Sequence, residues 1–411
     1  MRQTTKFSWL LITLSLLLAA CQPKSSTPLI QNEHAQDGSF AASVSDSGRY
    51  AIVSSLYHGV ALWDLQQNGL KYVWNQTPEG SLLTFEDGDT ADSMSSSNFV
   101  FATAIADDDS HAVLADKESF TVWDMQTGEN VGYWQVRKSK VRDIPKSQLG
   151  YWQARTKRGK SNDQYQDFEL LDDKKCIAPV AARGERCIVI GRLRAIDISN
   201  NGNHVLIGKS NGIVVHINIK TGRRLEFLGH QTELLDENNE PIQINNAINS
   251  VEMSPNGRYA ISGSSDHTAY LWDTRTGQVI HKFRHSARVV NVALDKKARY
   301  AFTSDSGGQS SIWDIKTGKL ISNLKFINRQ EIFTSARFSD NGHWLLTGAP
   351  TRELTLWQIS TGKQLQQWNV TPRKDSRPAS AVVYSAAFIN NESQIISESS
   401  SGLSEVWEIK L

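Results

Sequence analysis

The chain has 411 residues, of which 39% are hydrophobic and 21% are charged, and its 44 basic and 43 acidic residues nearly cancel. This composition is typical of a folded globular protein and excludes an intrinsically disordered chain. The near-zero net charge also excludes global electrostatic attraction to a polyanion such as nucleic acid.

The N-terminus has the features of an export signal. Arg2 and Lys6 form a short basic region, and residues 7–20 form an apolar run that is too short to span a bilayer. The run ends in the sequence Leu-Ala-Ala-Cys at Cys21, which resembles a bacterial lipobox. The resemblance implies cleavage before Cys21, lipid attachment to its sulfur and, because Gln22 follows, sorting to the outer membrane. An ordinary signal cleaved just before an unmodified cysteine is the alternative.

These features predict the organisation of the chain. We expect a lipoprotein signal peptide at residues 1–20, a lipidated tether at residues 21–27 and one folded domain at residues 28–411. Two cysteines remain in that domain, Cys176 and Cys187, and an exported protein enters an oxidising compartment. We expect them to form a disulfide that closes a small loop; a buried free pair and a metal site are the alternatives, and no nearby histidine supports the metal.

One motif recurs seven times along the domain. Its copies are ALWDLQQNG, TVWDMQTG, VHINIKTG, YLWDTRTG, SIWDIKTG, TLWQISTG and EVWEIKL, anchored at Trp63, Trp123, Ile217, Trp272, Trp313, Trp357 and Trp407. Alternating apolar residues such as Val251 and Met253 precede the anchors, and turn sequences such as Pro255-Asn256-Gly257 separate the alternating segments. This pattern predicts four short antiparallel strands per copy. Such a unit cannot bury both of its faces alone, so the copies must pack on one another.

The stretch from Gly229 to Gly277 resembles a complete WD40 repeat, with Gly229-His230 at its start and Trp272-Asp273 near its end. Trp313 and Trp357 follow Trp272 at intervals of 41 and 44 residues, which match the period of about 40–45 residues in such repeats. The resemblance implies an all-β fold, a seven-bladed β-propeller. Because the chain ends at Leu411 without a fourth strand for the last blade, we expect residues 27–35 to supply that strand and close the ring.

Four residues of the best-preserved copy are candidates for a polar site. The WD40 resemblance implies that His230, Ser264, Asp266 and Trp272 form a structural tetrad, a chain of hydrogen bonds that ends at the indole N–H. The same residue types occur in hydrolase triads, but a nucleophilic serine also needs a base within reach and an oxyanion site. We therefore interpret the four as structural, and only this fourth copy as complete.

All long insertions follow a fourth strand and precede the next first strand, so they are expected on one face of the ring. They occupy residues 79–98, 137–191, 231–246 and 371–381. The second insertion is basic and, with the strand before it, contains a repeated aromatic pair. Its candidate partner-binding residues are Tyr133, Trp134, Arg137, Lys138, Lys140, Arg142, Tyr151, Trp152, Arg155, Lys157, Arg158 and Lys160.

Basic and aromatic side chains together are typical of nucleic-acid binding, but the export signal excludes that partner. The partners that remain are an acidic envelope protein, anionic lipid headgroups or lipopolysaccharide, and an anionic or cell-wall glycan that stacks on the aromatic side chains. Alternatively, the basic insertion packs on the acidic insertions of the same chain.

The sequence predicts a non-catalytic scaffold that binds envelope proteins at the periplasmic face of the outer membrane. We expect no cofactor and no metal, since no phosphate loop, zinc pattern or HExxH motif occurs, and Asp107-Asp108-Asp109 fills a hairpin turn without EF-hand spacing. The alternative is a propeller enzyme of the lactonase or lyase type, which would require carboxylates or histidines from several blades to converge on the central channel.

Overall fold

The computed structural model describes residues 27–55, 59–74, 100–117, 119–135, 191–235, 241–326, 332–374, 376 and 379–411, together with five short strands between residues 142 and 189. For the strands within 142–189, 231–235 and 241–245, only the backbone is described. The expected signal peptide, Cys21 and nearly all of the expected tether therefore lie outside the described residues.

Seven sheets of four antiparallel strands form the blades, each ordered from the inner to the outer strand. Blade one consists of β2 (Ala41–Val44), β3 (Tyr50–Ser55), β4 (Gly59–Asp64) and β5 (Gly69–Trp74). Blade two consists of β6 (Ala102–Ile105), β7 (His111–Ala115), β8 (Ser119–Asp124) and β9 (Asn130–Gln135). Blade three consists of β15 (Leu193–Ile198), β16 (His204–Lys209), β17 (Val214–Asn218) and β18 (Arg224–Phe227). A 3-10 turn, Asn200–Gly202, joins β15 to β16.

Blades four to seven follow the same order. Blade four consists of β21 (Ile248–Met253), β22 (Tyr259–Ser264), β23 (Thr268–Asp273) and β24 (Gln278–Arg284), and blade five of β25 (Val289–Leu294), β26 (Tyr300–Asp305), β27 (Ser310–Asp314) and β28 (Leu320–Asn323). Blade six consists of β29 (Ser335–Phe338), β30 (Trp344–Gly348), β31 (Glu353–Gln358) and β32 (Gln364–Asn369). Blade seven consists of β33 (Val383–Ile389), β34 (Gln394–Ser399) and β35 (Leu403–Glu408) and is completed by β1 (Ile30–Glu33). Each inner strand contacts the inner strands of both neighbouring blades, and β33 contacts β2, so the ring is closed. The predicted seven-bladed propeller is confirmed.

The first strand of the chain completes the last blade. β1 runs antiparallel to β35, with Ile30 opposite Val406 and Glu33 opposite Leu403. The backbone N–H of Leu29 extends the pairing by donating to the carbonyl oxygen of Val406 at 2.7 Å. This confirms the predicted closure and leaves no unpaired edge on β35, which would otherwise be exposed to intermolecular strand pairing.

Tight turns join the first strand to the second in every blade and the third to the fourth in blades one to six, and they all lie on one side of the ring, the short-turn face. In blade four, Gly257 has a φ of 66°, a conformation that glycine adopts without steric cost. The carboxylate of Asp273 accepts hydrogen bonds from the backbone N–H groups of Arg275 and Thr276 at 2.9 and 3.0 Å. The local sequence thus determines both turns.

Two extra sheets arise on the opposite side, the insertion face. One contains β10 (Arg142–Asp143), β11 (Ala154–Thr156), β12 (Tyr165–Leu170), β13 (Lys174–Pro179) and β14 (Arg186–Val189), and the other is the hairpin of β19 (Gln231–Leu235) and β20 (Pro241–Asn245). Each lies between an outer strand and the next inner strand. Cys176 and Cys187 are direct register partners on β13 and β14, a spacing compatible with the expected disulfide, which stays a prediction.

Apolar side chains fill the spaces between adjacent blades. One cluster contains Leu354, Leu356 and Trp368 of blade six together with Ile395 and Trp407 of blade seven, all almost fully buried. Burying a large apolar side chain contributes about 1.5–3 kcal/mol, so each blade is stabilised mainly by its neighbours. Within the parts of the chain that the structure describes, no helix is long and apolar enough to span a bilayer.

Candidate functional site: the central channel

The inner strands surround a central cavity of about 190 Å³. Charged residues reach it from two equivalent positions of the repeat. One lies two residues before the first turn and is Asp197 in blade three, Glu252 in blade four and Arg337 in blade six. The other is the second residue of that turn, which is Asp46 in blade one, Asp107 in blade two and Lys296 in blade five; the uncharged Pro255 occupies it in blade four. The cavity therefore opens towards the short-turn face, where a second cavity of about 370 Å³ shares Pro255 and Lys296.

Three carboxylates from consecutive blades converge on one wall of the channel. Asp197 accepts a hydrogen bond from the backbone N–H of Met253 at 2.7 Å, and Glu252 accepts one from the backbone N–H of Leu294 at 3.0 Å. Each bond joins one blade to the next. Asp107 lies beside them in the first turn of blade two. The structure thus contains the convergence of carboxylates that the enzyme interpretation requires.

These carboxylates retain access to the cavity, but protein atoms surround them on the other sides. Burial, reinforced by the neighbouring Asp197 carboxylate, raises the pKa of Asp107 to about 7. Burial also raises the pKa of Asp197 to about 7, against the opposing effect of its backbone hydrogen bonds. The pKa of Glu252 is raised well above its usual value by burial and by Asp197. The cluster therefore takes up protons near neutral pH, because three adjacent buried carboxyls cannot all ionise at low cost.

The opposite wall of the channel is cationic. Arg337 forms an ion pair with Asp46, and its Nη2 donates to the carbonyl oxygen of Val44 at 3.1 Å. Burial lowers the pKa of Arg337 to about 10. Lys296 Nζ lies 3.0 Å from a carboxylate oxygen of Asp46 and 3.3 Å from one of Asp340. Blades one, five and six are therefore joined by a charge network at the mouth of the channel.

Like Asp197 and Glu252, neutral polar side chains elsewhere around the ring form hydrogen bonds with the backbone of a neighbouring blade. Ser43 donates to the carbonyl oxygen of Thr103 at 2.6 Å, and Ser385 accepts from the backbone N–H of Val44 at 3.0 Å. Asn291 donates to the carbonyl oxygen of Thr334 at 3.2 Å. Asp197 and Glu252 thus belong to a ring of polar side chains that joins adjacent inner strands, which is a structural role.

The predicted tetrad of blade four is present with one correction. His230 Nδ1 lies 3.0 Å from Asp266 Oδ2, and His230 Nε2 lies 2.7 Å from the hydroxyl of Ser262. Trp272 Nε1 donates to the same hydroxyl at 2.8 Å. The serine of the tetrad is therefore Ser262, and the assignment of Ser264 is wrong. Ser264 lies on the same strand face near its end, where its hydroxyl donates to the carbonyl oxygen of Asn246 at 3.3 Å.

The prediction that only blade four is complete is also wrong. In blade five, Trp313 Nε1 donates to Thr303 Oγ1 at 2.8 Å, and His285 Nε2 contacts the same hydroxyl at 2.8 Å. Asp305 Oδ2 lies 3.4 Å from His285 Nδ1. The signal that finds this second tetrad is the interval of ten residues between the hydroxyl residue and the tryptophan, together with a histidine at the end of the preceding outer strand.

In both tetrads, the histidine bonds within its own blade: His230 uses both ring nitrogens, whereas His285 uses Nε2 and its Nδ1 only approaches Asp305. Burial lowers the pKa of His285, against the opposing effect of Asp305, and so favours the neutral ring. An ionised Asp266 can only accept hydrogen bonds, so His230 donates through Nδ1 and accepts at Nε2 from Ser262. Neither tetrad lies at the central channel, and the hydrogen bonds of each tetrad stabilise its blade.

The candidate partner-binding residues have separate positions. Tyr133 is 39% exposed on β9, whereas Trp134 stacks on Phe120 with ring centroids 5.2 Å apart and packs against the core. Arg142 and Arg155 lie on β10 and β11, of which only the backbone is described. The remaining candidates lie outside the described residues: Arg137, Lys138, Lys140, Tyr151, Trp152, Lys157, Arg158 and Lys160. Among the described residues, no group of three or more His, Cys, Asp or Glu side chains is arranged to hold a metal ion.

Comparisons with known proteins agree with this architecture. Residues 241–273 match the family model for the WD40 repeat, described as WD domain, G-beta repeat. The fold is similar to the β-propeller domain of Cps50 (Swd1) from Myceliophteria thermophila, with a TM-score of 0.59 and 10% sequence identity over 93% of this chain and 100% of that one. No curated protein matches the sequence. The chain therefore contains one segment that matches the WD40 repeat, within a β-propeller fold.

Proposed function

We propose that this WD40-type propeller is a non-catalytic scaffold that binds an envelope protein through its insertion face. We also propose that a lipid on Cys21 holds it at the periplasmic face of the outer membrane. WD40 propellers are typical protein-interaction platforms, and the fold alone supports that coarser statement. The observation that carries the proposal is the position of the two extra sheets, β10–β14 and β19–β20, which both start and end on the insertion face.

This asymmetry distinguishes the two faces. Binding residues lie disproportionately on connections that a rigid scaffold positions, and the short-turn face has only tight turns. Exposed side chains on the insertion face add possible contacts: Leu228 and Ile332 are 45% and 42% exposed, and Lys374 is exposed in the connection between blades six and seven. The channel carboxylates, by contrast, join blades within the ring.

Cross-linking in intact cells tests the proposal. A photo-reactive residue at position 155 or 374 is expected to capture a discrete envelope protein, and the same residue at Gln66 in a short turn of blade one is not. Cross-links from Gln66 to the same protein, or no cross-link from either insertion-face position, would contradict the assignment of the face.

The convergence of Asp107, Asp197 and Glu252 favours a second candidate, a small-molecule site in the channel that includes the lactonase or lyase interpretation. Groups with a pKa near 7 suit general acid and base catalysis. This candidate predicts that Asp107→Asn abolishes turnover of a lactone or polysaccharide substrate by the purified chain. The scaffold proposal predicts that the unmodified protein has no such turnover.

A further inference from the structure

The chain enters the propeller from the short-turn face. Third strands run towards that face, and β35 ends there at Glu408. Because β1 is antiparallel to β35 and starts opposite Val406, Leu29 and Ile30 lie at the short-turn end of the blade. The segment that would carry the lipid on Cys21 therefore arrives at the same face.

Exposed cations are concentrated on this face in blades three to six. Lys220, Arg275 and Lys316 occupy the same turn position in three consecutive blades. Three further cations follow the turn glycines, and all six side chains are exposed: Lys220, Arg223, Arg275, Lys316, Lys319 and Lys363. None of the six belongs to an ion pair between described residues. We call them the cationic arc.

The aspartates of the same turns offset only part of the charge of the arc, because two of them, Asp273 and Asp314, face six cations. Asp273 and Asp314 are only half-exposed, and each directs carboxylate oxygen to the backbone of its own turn. Asp314 accepts from both the hydroxyl and the backbone N–H of Thr317, which lowers its pKa. Within the arc, Arg223 Nη2 donates to the carbonyl oxygen of Arg275 at 3.0 Å, which joins the turns of blades three and four.

Exposed aliphatic side chains lie next to these turns. Val279 and Ile280 of blade four are 43% and 37% exposed, and Leu320 of blade five is 47% exposed. All three lie within three residues of a turn glycine. Leu29 at the entry of the chain is 55% exposed. Cations combined with exposed aliphatic residues are typical of surfaces that bind at a membrane interface.

We propose that the short-turn face of blades three to six docks on a bilayer that contains anionic phospholipid. The cationic arc contacts the headgroups, and Val279, Ile280 and Leu320 enter the interfacial region. Blade two is acidic on the same face, with Asp108 and Glu129 exposed, so the ring tilts towards blades three to six. This surface goes beyond the proposed protein-binding function, because it leaves the insertion face free for a partner.

Vesicle binding tests the proposal without the lipid. The chain from Gln22 to Leu411, which contains every strand of the ring, is mixed with vesicles of phosphatidylcholine alone or of phosphatidylcholine with phosphatidylglycerol. We expect binding only to the anionic vesicles. Binding should weaken as salt is raised, because the Debye length falls from about 10 Å at 0.1 M to about 3 Å at 1 M.

Two charge-reversal variants separate the arc from a general charge effect. Lys220→Glu/Arg275→Glu/Lys316→Glu should weaken binding to anionic vesicles by at least about tenfold, since each cation near an anionic surface contributes. The matched control, Arg194→Glu/Arg284→Glu/Arg288→Glu, changes three exposed cations near the insertion-face ends of their strands and should bind like the parent chain. Both variants should melt like the parent. Equal binding to both vesicle types, no binding to either, or equal losses in the two variants would overturn the proposal.

Discussion

His34 Nδ1 lies 2.8 Å from Glu398 Oε1, and both side chains are fully buried where the first outer strand meets the last blade. His34 also stacks on Trp63 of blade one at 4.4 Å between ring centroids. This histidine occupies the position equivalent to His230 and His285. In blade one, however, Val53 replaces the hydroxyl residue, so the ring bonds to Glu398 of blade seven instead. One contact thus joins the two ends of the propeller.

Removal of this contact should weaken the ring. Glu398→Ala leaves a buried histidine without its partner and opens a cavity, so we expect a loss of about 2–4 kcal/mol in the free energy of unfolding. Glu398→Gln, which keeps the volume and an acceptor, should lose less. The control Glu129→Ala changes an exposed glutamate and should stay within about 0.5 kcal/mol of the parent. Chemical denaturation measures all three, and equal stabilities would contradict the role of His34 and Glu398.

The closing strand can be tested by deletion. Removing residues 28–34 eliminates β1 and exposes the edge of β35, so the melting temperature should fall by about 10 °C or more, the consequence of losing several kcal/mol. Differential scanning calorimetry measures the change. An unchanged melting temperature would show that the seam does not stabilise the ring.

The corrected tetrad predicts different effects for two neighbouring serines. Ser262→Ala leaves both His230 Nε2 and Trp272 Nε1 buried without a partner, which should cost about 2–4 kcal/mol. Ser264→Ala removes only long hydrogen bonds of 3.3 and 3.4 Å and should cost about 1 kcal/mol or less. Urea denaturation of the two variants decides between the serines, and the reverse order would restore Ser264 to the tetrad.

The channel carboxyls predict how stability changes with pH. The folded-state pKa values of Asp107 and Asp197 are raised to about 7, so between about pH 4 and pH 7 the folded chain holds protons that the unfolded chain has released. The free energy of unfolding contributed by these groups therefore falls as the pH rises through this window, and is constant above it. Asp107→Asn should flatten that fall and, at pH 8, raise stability by about 1 kcal/mol. Melting curves at several pH values test this; an unaltered slope in the variant would contradict it.

Much of the fold follows from the sequence because each repeat encodes its own strands and turns. Alternation at Val251 and Met253, the turn at Gly257 and the tryptophan interval define the blades, and the missing fourth strand after Trp407 predicts the closure. The sequence alone does not distinguish Ser262 from Ser264, because the two serines lie two residues apart on the same face of β22 and differ only in their distance along the strand. The hydrogen-bond register of β22 and β23 decides between them, and it selects the residue opposite Tyr270.

The channel site could not be predicted by the same means. Three of its charged residues share a repeat position but not a residue type, since blades three, four and six have Asp197, Glu252 and Arg337 where blade one has Ser43. Only closure of the ring brings these positions together across the axis. Aligning the residue two places before each first turn would have identified them as a set, but not their pKa values, which depend on burial in the closed ring.

The most direct test of the scaffold proposal removes the largest insertion. Replacing residues 137–190 with a short linker joins β9 to β15 and leaves all seven blades. We expect the shortened chain to keep the melting temperature of the parent within a few degrees, in line with the tolerance of surface loops to length changes, and to lose the envelope protein that cross-links from the insertion face at position 374. A shortened chain that melts like the parent and still captures the same protein with equal yield would contradict the claim that this insertion binds the partner.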